Sequence, residues 1–65
     1  MDTLAQQTTP QFQHLIGKRI TVVHQNHKYI GTLEFAGINP IHDQFQVTID
    51  RMPLWPVNPK TIKAV

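Results

Sequence analysis

Neither cysteine nor serine occurs in this 65-residue chain, and aspartate and glutamate together number only 4. Without cysteine, no disulfide can staple a small fold. Without serine or cysteine the usual nucleophilic enzymes are excluded, and Glu34, Asp43 and Asp50 stand beside no nucleophile at a recognisable spacing. The chain is therefore not expected to be an enzyme, and no cofactor motif is found in it. No apolar run is long enough to cross a bilayer, and the first residues lack the basic start and apolar stretch of a secretory signal. A cytoplasmic protein without membrane contact is expected. Charge is sparse: 6 Lys and Arg give a formal net charge of +2, to which 4 histidines add in acid. This balance permits an anionic partner without demanding one.

Length sets a further bound. A chain this short buries only about 60% of the surface its unfolded form exposes, so close packing or self-association must support it. A homo-oligomer, either a dimer or a ring, is one such support.

Residues 1–9 are polar and unpatterned and read as a flexible N-terminal tail. Thr9 and Pro10 then read as an N-cap and first helical residue, with Phe12, Leu15 and Ile16 on one apolar face and Gly17 as a left-handed stop. A helix of one or two turns persists only when docked. From Lys18 the period changes to two. Ile20, Val22 and His24 alternate with Thr21, Val23 and Gln25 in a first strand, and Asn26 offers the positive φ of a hairpin turn. Tyr29, Gly31, Leu33 and Phe35 share one face of a second strand, in which Gly31 permits a bend. After the loop from Gly37 to Asp43, Phe45, Val47 and Ile49 face inward in a third strand, with Gln44, Gln46, Thr48 and Asp50 outward. Pro53, Pro56 and Pro59 then mark a short edge strand and a turn before a last strand over Thr61 to Val65. The pattern predicts an all-β, five-stranded small barrel with a short N-terminal helix, formed by residues 10–65 as a single domain.

This order of elements resembles the Sm-like fold, bacterial Hfq proteins included, within the SH3-like barrel superfold. The residues that carry the resemblance are Gly17 to Val22 at the entry to the first strand, Tyr29 to Gly37 with its aromatic-x-Gly-x-Leu pattern, and Val57 to Val65 as the closing segment. It implies a non-catalytic module that binds single-stranded RNA through loop and C-terminal basic residues. Gly37 stands where the family usually carries Asp, Asn39 lies near the family's base-binding Asn, and Lys60 retains the charge of the closing turn. Pro53, Pro56 and Pro59 each remove a backbone donor from the edge through which Sm-like rings close.

The candidate nucleic-acid-binding residues follow from charge and aromaticity as well. Lys60, Arg51 and Lys28, with Lys18, Arg19 and Lys63 as further cations, are expected to contact phosphates, Asn39 and His42 to meet the ligand from the loop, and Trp55 or Tyr29 to stack on bases. The second class is a protein partner. An SH3-like groove lined by Tyr29, Phe35 and Trp55, rimmed by the Gly37 to Asp43 loop, suits a peptide. His24, His27, His42 and Asp43 are the metal-ligand types present, but alternation sends His24 and His27 to opposite faces, so no metal site is expected.

Overall fold

The computed structural model describes residues 8–65. Residues 1–7 of the expected tail lie outside the described residues. At its end, the Thr9 N–H donates to the Ala36 carbonyl at 2.8 Å and the Ala36 N–H to Thr8 Oγ1 at 3.4 Å.

The expected helix is a 3₁₀ helix, Pro10–Leu15. Its three-residue turn brings Phe12 and Leu15 onto one buried face and leaves Ile16 exposed, which corrects the expected apolar triad. The Thr9 side chain makes no capping hydrogen bond; its backbone is instead engaged, accepting from the Phe12 N–H while its own N–H pairs with Ala36. Gly17, at φ 84°, ends the helix and donates to the Leu33 carbonyl at 2.8 Å.

Five strands form one antiparallel sheet: β1 (Arg19–His24), β2 (His27–Asn39), β3 (Gln44–Ile49), β4 (Met52–Leu54) and β5 (Lys63–Ala64), in the order β4-β3-β2-β1-β5. Ile20 and Val22 are fully buried, as alternation in β1 requires. Gln25 and Asn26, both at positive φ, form the tight turn to β2. That turn makes His24 and His27 direct cross-strand partners, correcting the expectation of opposite faces.

β2 is 13 residues long and pairs with β1 in its first half and β3 in its second. Between Leu33 and Phe35 a bulge inserts an extra residue, and the inward phase shifts. Leu33 lies in the main core before the bulge and Ala36 after it, whereas Phe35 is buried outside that cluster. Val47, Ile49 and Leu54 fill the core from β3 and β4. Phe45 packs against it, with its ring edge-on to Phe12 at 5.9 Å. Each fully buried Ile, Leu or Val contributes about 1.5–3 kcal/mol of transfer free energy, and in a chain without disulfides this burial is the main support.

Two local expectations are corrected. Gln46, expected outward, is buried because loop residues cover that side of β3. The expected last strand over Thr61 to Val65 is shorter, because Pro59–Thr61 forms a second 3₁₀ helix before β5. Asn58 caps it: its Oδ1 accepts from the Lys60 N–H at 3.0 Å. Among the described residues, no helix is long and apolar enough to cross a membrane.

Candidate functional site

Alternation that turns Ile20 and Val22 into the core turns Thr21 and Val23 the other way. Residues directly opposite in an antiparallel pair share a face. Lys28 is the partner of Val23 on one side of β1, and Lys63 is the partner of Thr21 on the other. Two lysines therefore flank β1 on its outer face. The second 3₁₀ helix adds Lys60 and Thr61, held in place because Thr61 Oγ1 accepts from the Val23 N–H at 3.3 Å and donates to the Asn58 carbonyl at 2.8 Å.

These six residues line an open groove of about 290 Å³. Among the described residues, three that line it are cations and none is an acid, although the chain as a whole carries a net charge of only +2. Three ammonium groups around one concavity repel each other and favour an anion between them. The Thr21 hydroxyl and the Val23 methyls complete the surface, while the Thr61 hydroxyl is spent on holding the groove wall.

A second cluster lies where the loop after β2 folds over β3. Asn39 Nδ2 donates to Gln46 Oε1 at 3.0 Å, and His42 Nε2 donates to the same oxygen at 2.8 Å. Gln46 Nε2 donates in turn to Thr48 Oγ1 at 3.0 Å. Asn39 Oδ1 accepts from the Ile41 N–H at 2.9 Å, and the Asn39 carbonyl accepts from the N–H groups of His42 and Asp43, so this residue organises the whole turn. His42 Nδ1 is buried and has no hydrogen-bond partner among the described residues. The imidazole stacks on Trp55, with centroids 4.3 Å apart and planes 9° from parallel.

The expected site residues are thus divided. Lys28 and Lys60 come together in the groove, joined by Lys63. Asn39 and His42 belong to the second cluster, with their polar contacts made inside the protein, and Trp55 adjoins them. Arg51 is exposed in the turn between β3 and β4 and does not line the groove. Tyr29 is partly buried against the core and tilted toward His24 at 6.2 Å. His24, half-buried, donates from Nε2 to the Trp55 carbonyl at 3.1 Å, the backbone partner a strand histidine ordinarily finds. Among the described residues, no three metal-ligating side chains gather.

Sequence reasoning named Lys63 only as one of several further cations and did not single out Thr21, Val23 or Thr61. The β1 alternation and the tight hairpin point to Thr21, Val23 and Lys28. Lys63 and Thr61 join them only through the pairing of the two ends of the chain. Comparison with known proteins found no family model, no curated protein and no solved structure that matches this chain.

Proposed function

We propose that this chain is a non-catalytic module of the SH3-like and Sm-like small-barrel type, and that it holds single-stranded RNA by its phosphate backbone. The observation that carries the reading is the groove lined by Lys28, Lys60 and Lys63, with no acid lining it among the described residues. The barrel type is supported by the long β2 shared between two halves of the sheet, the short β4 and β5, and the helix ahead of β1. A single strand suits the site better than a duplex. The cations flank one β-strand across a short open groove, the form of site that tracks the backbone of a single strand.

Of the aromatic residues that suited a peptide groove, Phe35 is 7% exposed and Tyr29 packs on the core, which leaves Trp55 alone. The protein-binding reading is correspondingly weakened.

Fluorescence anisotropy of labelled single-stranded RNA of mixed sequence, at low and moderate salt and with duplex DNA as comparison, tests the proposal. Micromolar or tighter binding that weakens with salt and drops in Lys60→Ala and Lys63→Ala is expected. No binding at low salt overturns it.

A further inference from the structure

Trp55 is the chain's one tryptophan, and it is not a core residue. Leu54 and Val57 near it are buried, while Trp55 remains 41% exposed and its indole is stacked on His42. The imidazole is itself fixed, because Nε2 donates to Gln46 Oε1, and Gln46 is held by Asn39 and Thr48. An indole backed in this way is already ordered, so little conformational freedom is lost when a second flat ring meets it. Aromatic faces and cationic grooves act together on single strands: the ammonium groups follow the phosphates and the rings take unpaired bases.

The two features flank the end of β1 from its opposite sides. The Trp55 carbonyl accepts from His24, whose side chain shares the inward phase of Ile20 and Val22 while Val23 beside it faces the groove, and the chain then runs through Pro56 to Pro59 into Lys60. The longest extent of the domain, 31 Å, bounds the span between them, so a strand of several nucleotides passing round the end of β1 reaches both.

We infer that Trp55, backed by His42, is a stacking site for an unpaired base of a strand whose phosphates lie in the lysine groove. The inference rests on the nucleic-acid reading of that groove and adds the part of the ligand that a phosphate site alone does not recognise. Since every base has a π-face and the polar atoms of Asn39 and His42 are engaged internally or buried, the site selects by stacking strength, not by hydrogen-bond pattern.

As the chain's only tryptophan, Trp55 reports its own occupancy. The full chain is titrated with short oligoadenylate RNA and, separately, with inorganic polyphosphate, following heat by calorimetry and tryptophan emission in parallel. Oligoadenylate is expected to quench emission in step with binding, and polyphosphate to bind without quenching. Trp55→Leu is expected to weaken oligoadenylate about tenfold and leave polyphosphate unchanged. Oligoadenylate binding with no change in emission overturns the stacking site and leaves the groove standing, whether or not Trp55→Leu folds. Equal quenching by polyphosphate also overturns it, since emission then follows something other than a base. If neither ligand binds, the groove reading fails and the stacking site falls with it.

Discussion

The carboxylate of Asp50 lies over Gly31. Asp50 Oδ1 accepts from the Thr32 N–H at 3.1 Å, and a Cβ placed on Gly31 would meet Asp50 Oδ2 at 2.6 Å and the Ile49 Cβ at 3.2 Å. The glycine was expected to serve the bend of β2, but the bulge lies beyond it, between Leu33 and Phe35. Its stronger requirement is space for the turn between β3 and β4. Gly31→Ala is expected to displace the carboxylate from Thr32 and destabilise the domain by about 1 kcal/mol, with Gly31→Val worse. In a domain of this size each kcal/mol lowers Tm by about 4–8 °C, which a thermal melt resolves. Asp50→Gly, which accepts the φ of 47° without strain, is expected to reduce the cost of Gly31→Ala. Additive effects of the two substitutions would mean that Asp50 is not the obstacle.

The faces of β3 make a sharper comparison between neighbours. Val47 is fully buried opposite Ala36 and Leu54, so Val47→Asp places a charge in the core and is expected to unfold the domain. Thr48 is half-buried, and its Oγ1 only accepts from Gln46 Nε2, a bond an aspartate can also accept. Thr48→Asp is expected to cost less than about 1 kcal/mol. Circular dichroism during urea unfolding separates them, and equal losses would contradict the register.

How much of this was legible in the sequence depended on how local the cause is. The alternation of Ile20 and Val22, the left-handed Gly17 and the hairpin at Asn26 follow from neighbouring residues, and these features are present. The turn at Asp50 and Arg51 has both residues at positive φ, and although aspartate suits the first position, the arginine after it is not the glycine that marks such a turn. Gln46 looked like a solvent-facing strand residue because nothing nearby in sequence shows that His42 will cover it. The groove was half legible for the same reason. Lys28 is placed by the hairpin next to it, but Lys63 is placed by the pairing of β5 with β1 across more than half the chain.

Gln46 carries more than its place on a strand suggests. Its Oε1 is the acceptor for both Asn39 and His42 in a buried setting. Gln46→Leu keeps most of the volume but leaves two donors without a partner, so a loss of about 1–3 kcal/mol is expected. Because His42 is then no longer held, the stack on Trp55 should loosen and tryptophan emission should shift to the red. A variant with wild-type stability and emission would show that the network is not what orders this loop.

Three cations in one groove make a quantitative claim about salt. Binding to a single strand loses affinity with a log–log slope of about −0.7 per phosphate neutralised, so Lys28, Lys60 and Lys63 together predict a slope near about −2. Each alanine substitution among them should flatten the slope by about 0.7 while leaving thermal stability nearly unchanged, since all three side chains are exposed. Arg51, which lies outside the groove, serves as the internal control: Arg51→Ala should leave the slope as it is. Anisotropy titrations at several salt concentrations measure all four variants. An unchanged slope in Lys60→Ala and Lys63→Ala, or a change as large in Arg51→Ala, would mean that charge is recognised over the whole surface and not gathered by β1.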